Sequence, residues 1–113
     1  MSPSRQLPAL THLQFVILGA LLAGERPGKE LRRDLARYGV RRTAAAFYQM
    51  MARLEDAGLV SGEYDQKIVG GQIIKERRYT LTPRGDAAWT TTRAFYDDAI
   101  EAYGSAKPRI AHA

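Results

Sequence analysis

Residues 28–81 read GKELRRDLARYGVRRTAAAFYQMMARLEDAGLVSGEYDQKIVGGQIIKERRYTL, and this stretch decides the fold. Its first part carries Leu31, Leu35 and Tyr38 at helical spacing, which predicts a helix over residues 29–38 with those three side chains inward. Glu30, Arg32, Arg33, Asp34 and Arg37 are left facing out, with the acidic pair neutralised by Arg33 and Arg37 one helical step away. Gly39 stops that helix, and Val40, Arg41 and Arg42 form a tight turn. Thr43 opens a further helix running to residue 57, with Phe47, Met50, Met51 and Leu54 spaced i, i+3, i+4, i+7 as its buried face. After Gly58 come two runs of strand character, and Gly70-Gly71 between them is a two-residue hairpin signal. Val60, Tyr64 and Ile68 on one run and Ile74, Tyr79 and Leu81 on the other supply the apolar positions. Helix, turn, helix and hairpin in this order predict a winged helix-turn-helix: mainly α (α+β), with three helices, a two-stranded β-wing and a long C-terminal helix.

The flanking segments read as support. Residues 1–10 contain two prolines and are expected to be a flexible arm. Thr11 is a candidate N-cap for a first helix reaching residue 23. The run FVILGALLA at residues 15–23 is apolar, but its nine residues fall far short of the roughly 20 that span a bilayer. It predicts a helix buried on more than one side, against its own core and a second copy through Phe15, Leu18 and Leu22. Arg26-Pro27-Gly28 reads as a break in the chain. At the other end Thr82-Pro83 starts a last helix, threonine as N-cap and proline at the first position. Trp89, Thr92, Tyr96, Ala99 and Tyr103 form its stripe, flanked by Phe95 and Ile100. That is more aromatic surface than one small domain covers, which predicts a helix-to-helix dimer contact. Folding of Trp89 and Phe95 back onto the first helix is the competing account, and a dimer could use both. The expected divisions are 1–10 arm, 11–82 winged-helix domain, 83–104 dimerisation helix and 105–113 tail.

The chain of 113 residues has a formal charge of +5 and a pI near 9.8, which favours an acidic partner. The charge is segregated. Arg26, Lys29, Arg32, Arg33, Arg37, Arg41 and Arg42 face only Glu30 and Asp34, whereas the last helix has Asp86, Asp97, Asp98 and Glu101 against Arg93. There is no cysteine, which excludes disulfides and thiolate chemistry and suits a reducing cytoplasm. No signal-peptide pattern opens the chain. His12 and His112 have no cysteine partners and lie near opposite ends, so no metal site is expected. No phosphate loop, dinucleotide fingerprint or acid/base pair is present, and neither catalysis nor a cofactor is expected.

Leu18-Gly19 with Leu21-Leu22, then Phe47-Tyr48, Arg53-Leu54-Glu55 and Gly58-Leu59-Val60, and finally Arg77-Arg78-Tyr79 with Leu81-Thr82 and Gly85, resemble the PadR family of winged-helix transcriptional regulators. The resemblance covers residues 13–85. Either half alone would also fit MarR-like regulators. Two departures fall on the surface turned to DNA: Gln49 stands where the family usually has proline, and Ala45-Ala46 where it often has Gly-Thr. The resemblance implies a homodimer, double-stranded DNA as partner, and repression of transcription. Some members bind aromatic or drug-like ligands between subunits. That puts Trp89 and Tyr96 forward as ligand contacts, beside a role in interface packing.

The expected DNA-binding residues are Arg41, Arg42 and Thr43 toward phosphates, and Ala46 and Gln49 toward base edges. Tyr48 is expected to reach backbone or bases, Arg53 to make an edge contact, Lys29 to sit near a phosphate at the N-terminus of the second helix, and Lys67, Lys75 and Arg77 to lie on the wing. Ala44 to Ala46 let a helix approach closely in the major groove, although alanines are also simply good helix formers. The expected subunit contacts are Phe15, Leu18, Leu22, Trp89, Phe95, Tyr96, Ile100 and Tyr103. A protein of another class would also fit these elements: an interaction module on a winged-helix scaffold that recruits a different protein through Trp89 and Tyr96. The basic helix-turn-helix argues against it.

Overall fold

The computed structural model describes residues 6–105. Most of the expected tail, with Lys107, Pro108 and His112, and the first part of the arm lie outside the described residues. The elements are α1 (His12–Ala20), β1 (Arg26–Pro27), α2 (Gly28–Arg37), α3 (Ala44–Asp56), β2 (Val60–Val69), β3 (Gln72–Leu81) and α4 (Pro83–Tyr103).

Side-chain caps start three of the four helices. Thr11 and Gln14 form a reciprocal capping box on α1, with bonds of 3.0 and 3.1 Å. Thr43 Oγ1 accepts from the Ala46 amide at 3.1 Å, and Thr82 Oγ1 accepts from the Gly85 amide at 2.9 Å. The Thr82 hydroxyl also donates to the Gly58 carbonyl at 2.6 Å, which ties the start of α4 to the chain leaving α3.

The α1 helix is shorter than its apolar run. Beyond Ala20 the chain tightens into a turn, with the Leu21 and Leu22 amides bonded three residues back to Leu18 and Gly19. The α2 helix ends at Arg37, and Tyr38, expected inward, is 69% exposed. Gly39 takes φ +79, and the Val40 amide returns to the Leu35 carbonyl at 3.1 Å. Val40, not Tyr38, then packs against the core. Asp34, expected outward, is half-buried against Arg26.

The sheet has three strands in the order β1-β3-β2, all antiparallel, where two were expected. Arg26-Pro27, read from sequence as a break, pairs with Tyr79 and Arg78. Proline is tolerated there because β1 is an edge strand. Gly70 and Gly71 both have positive φ, 58° and 79°, as a tight two-residue hairpin requires. Only the base of the hairpin enters the core: Val60 and Tyr79 are buried, whereas Tyr64, Ile68 and Ile74 are exposed.

Ile17, Leu18, Leu21, Leu31, Leu35, Phe47, Met50, Met51 and Leu54 complete that core. Leu18, expected at a subunit contact, is fully enclosed in it and has no surface to offer a second copy. The α4 helix closes the domain by laying Gly85, Ala88 and Thr92 inward and stacking Trp89 on Phe15, with ring centroids 5.5 Å apart and planes 8° from parallel.

Candidate nucleic-acid interface

Within the helix-turn-helix the cations divide into those held by carboxylates and those that are not. Arg26 takes Asp34 at 2.5 Å and lies 3.8 Å from Glu30, and Arg37 lies 3.9 Å from Asp34. The two acids of α2 are therefore held by Arg26 and Arg37, whereas sequence spacing had pointed to Arg33 and Arg37. No ion pair among the described residues engages Arg32, Arg33, Arg41 or Arg42. These four, with Lys29, line one concavity between α2 and the connecting turn. Arg32 Nε donates to the Arg42 carbonyl at 2.9 Å, which straps the turn to α2 and fixes where Arg41 and Arg42 leave the backbone. Arg32 and Arg33 were not among the expected contacts. Their spacing from Lys29 along one helix was the available signal.

The turn delivers this charge to the N-terminus of α3, where the helix dipole adds to it. Burial of Phe47, Met50, Met51 and Leu54 turns the opposite side outward, so that Ala45, Gln49, Ala52 and Arg53 are exposed. Thr43 is exposed at the cap, and Ala46 is half-buried. Tyr48 leans over α2, where its ring carbon Cε1 would lie 2.9 Å from a Cβ added at Gly28. Part of its ring stays exposed at the edge of this surface.

The wing cations are differently placed. Glu76 gathers Lys29 at 3.3 Å, Lys67 at 3.7 Å and Arg78 at 3.2 Å. Burial pushes the Glu76 carboxyl up, but these three cations outweigh it and hold its pKa below the ordinary value. Lys29 and Lys67 are well exposed, and exposed ion pairs of this kind exchange partners at little cost. Arg77 is bound more firmly, to Glu55 at 2.5 Å, and lies over the Tyr64 ring at 4.7 Å. Among the described residues Lys75 has no carboxylate partner.

On the far side, Tyr96 meets Phe15 edge-on at 5.9 Å, and Phe95 meets Tyr96 at 5.3 Å. Leu22, Phe95, Tyr96, Ile100 and Tyr103 all remain exposed, Tyr103 at 77%. Trp89 packs on α1, with the Arg93 guanidinium 5.5 Å from its ring. His12 is exposed, and no group of three or more His, Asp or Glu able to hold a metal occurs among the described residues. No helix among them is long and apolar enough to cross a membrane.

A helix-turn-helix with a basic turn, an outward-facing second helix and an antiparallel hairpin beside it defines a winged-helix, DNA-binding transcription regulator. The family model described as "Transcriptional regulator PadR-like family" matches residues 17–91, and the chain belongs to that family. Its work is regulatory and not enzymatic. Among solved structures, a PadR family transcriptional regulator from Eggerthella lenta is 26% identical; the match covers 81% of this chain and 78% of that one, with a TM-score of 0.64. A PadR family transcription regulator from Clostridium difficile is 15% identical over 84% of this chain and 100% of that one, with a TM-score of 0.66. A zinc-responsive MarR family member from Lactococcus lactis, ZitR, is also similar in fold: 15% identity, 92% and 65% coverage, TM-score 0.62. A comparison with curated proteins found no match.

Proposed function

We propose that this PadR-like regulator is a homodimeric repressor that reads a two-fold duplex operator with α3. The observation that carries this is the set of four arginines, Arg32, Arg33, Arg41 and Arg42, that have no carboxylate partner among the described residues and lie beside the small, exposed face of α3. Arg41, Arg42 and Thr43 meet phosphates. Ala46 and Gln49 approach base edges, where the Gln49 amide suits adenine. Arg53 and Tyr48 contact the side of the groove, and Lys29, Lys67 and Lys75 meet the flanking backbone. Two copies joined through α4 and α1 place their α3 helices one helical turn of DNA apart, about 34 Å. Repression follows if that footprint overlaps the promoter. A small aromatic ligand between the subunits would act through Trp89 and Tyr96. The stacking of Trp89 on Phe15 favours packing as its main role.

Selection of bound fragments from random duplex DNA, followed by anisotropy titrations at several salt concentrations, tests this. An inverted repeat should emerge, and affinity should fall steeply with salt. Replacing both Arg41 and Arg42 by alanine should weaken binding to every sequence and reduce the salt slope by about 2, roughly one for each phosphate contact. Affinity unchanged between low and high salt would exclude the proposal. Repression is read separately, from a reporter placed behind the selected site.

A further inference from the structure

Outside the buried base of the hairpin, a single side-chain bond among the described residues joins the wing to α3. It runs from Arg77 on β3 to Glu55 in the last turn of α3, 2.5 Å between Nη2 and Oε1. Three further features are arranged around it. Gly62 lies beneath: a Cβ there would stand 2.0 Å from Glu55 Oε1 and 2.8 Å from Arg77 Nη2, so the space the pair occupies exists only because residue 62 has no side chain. Tyr64 is the residue directly opposite Arg77 in the hairpin, and its ring faces the guanidinium at 4.7 Å. Tyr79, two residues along on the same face, stands 5.8 Å from it. Both charged side chains are only 24% exposed. Burial opposes the charge on Arg77, but the Glu55 carboxylate outweighs it and raises the guanidinium pKa above its ordinary value.

A phosphate ligand needs a free guanidinium. Turning Arg77 to DNA would break this pair and leave the Glu55 carboxylate uncompensated in the cleft between α3 and the wing, whose rim carries Tyr48 and Lys75. We propose that Arg77 is a positioning residue: its pair with Glu55, seated over Gly62 and faced by Tyr64, latches the wing to α3 and sets the angle at which both meet DNA. This rests on the duplex-binding role proposed above. Arg77 itself stays off the phosphates, in contrast to Lys75 a turn of the pleat further out.

The isosteric variant Glu55→Gln, the charge-removing Arg77→Gln and their double separate a latch from a contact, because the two roles predict opposite signs for Glu55. As a latch residue, Glu55→Gln weakens binding to the selected duplex by about tenfold, Arg77→Gln does the same, and the double is no worse than either single. The salt slope stays at the wild-type value in all three. If Arg77 were a phosphate ligand, Glu55→Gln would free it and tighten binding, and Arg77→Gln would lower the slope by about one. Either of those results overturns the latch, as does wild-type affinity in both singles. If Arg77→Gln fails to fold, the sign of the Glu55→Gln effect decides alone. Amide hydrogen exchange on the free protein provides a readout without DNA: Glu55→Gln should speed exchange at residues 62–66 and 75–79 and leave α2 unchanged. Wild-type protein that binds no duplex removes the DNA role. The latch would then be upheld by faster exchange in Glu55→Gln and overturned by unchanged exchange.

Discussion

The phenol of Tyr79 sits where the hairpin enters the core, 2% exposed, between Arg77 on its own face of β3 and the edge strand β1. Burial pushes its pKa from 10.0 up to about 12, the neighbouring Arg77 pulling the other way. The unfolded chain releases the proton near 10 and the folded one near 12. Folding therefore favours the neutral phenol. The stability this contributes is intact below pH 10 and is lost as pH rises through the interval up to 12. At about 1.4 kcal/mol per unit, the two units correspond to a loss approaching about 3 kcal/mol. Urea midpoints measured from pH 9 to 12 should fall more steeply for the wild type than for Tyr79→Phe, which has no proton to lose. The difference between absorbance titrations of the wild type and Tyr79→Phe should place the Tyr79 phenol near 12. A difference centred near pH 10 would refute the assignment. At this scale the sequence was informative about which residues are buried and less so about their chemistry. Tyr79 is apolar in position and titratable in kind, and only the packed surroundings reveal the shift.

Between elements, α4 approaches the loop leaving α3 closely at Gly85. A Cβ at Gly85 would lie 2.0 Å from the Leu59 carbonyl oxygen and 2.8 Å from Leu81 Cδ1. Alanine is normally the better helix former by about 1 kcal/mol. Here the obstacle is backbone, held by the Thr82 amide bonding the same Leu59 carbonyl at 3.2 Å. Overpacking against a fixed partner costs about 2 to 3 kcal/mol and should win. Gly85→Ala is therefore expected to lower unfolding stability by roughly 1 to 2 kcal/mol in chemical denaturation, the difference of these two effects. A variant at least as stable as wild type would show that α4 can lift away freely. Elements with their own chemical punctuation were legible in advance. Thr43 and Thr82 announced helix starts, Gly70-Gly71 the hairpin, and the 3-4 spacing of Phe47, Met50, Met51 and Leu54 the inward face of α3. The β1 strand was not legible, because two residues carry no periodicity and one is proline. Tyr38 was misread because helical spacing cannot show that the helix has already ended one residue earlier. The Glu55–Arg77 pair lay midway: counting outward from Gly70-Gly71 sets Tyr64 opposite Arg77, but only the packing of α3 across the sheet brings in Glu55. The arginine surface was legible as charge, whereas its freedom from carboxylates was not, since Arg26 reaches Asp34 from a different element.

For the molecule as a whole, α4 poses a solvation problem. Its 21 residues extend about 31 Å, and the domain covers only the first half, around Ala88, Trp89 and Thr92. Phe95, Tyr96, Ile100 and Tyr103 then present a continuous apolar strip to water. Asp97, Asp98 and Glu101 beside it oppose nucleic acid, so the strip is suited to protein. A second copy satisfies both requirements, and the operator argument independently calls for one. Ile100→Glu with Tyr103→Glu tests the link. These side chains are 65% and 77% exposed, so the fold should survive, while two added charges next to three existing acids repel across a two-fold axis. Sedimentation velocity should show the wild type as a dimer and the variant as a monomer with unchanged circular dichroism. Losing the second half-site removes the effective concentration that tethering supplies, so affinity for a full operator should drop about a hundredfold or more. Affinity for an isolated half-site should stay the same, because the variant leaves α2, the turn and α3 untouched. A variant that remains dimeric would move the interface away from the α4 strip. A monomeric variant with full operator affinity would instead separate duplex recognition from dimerisation.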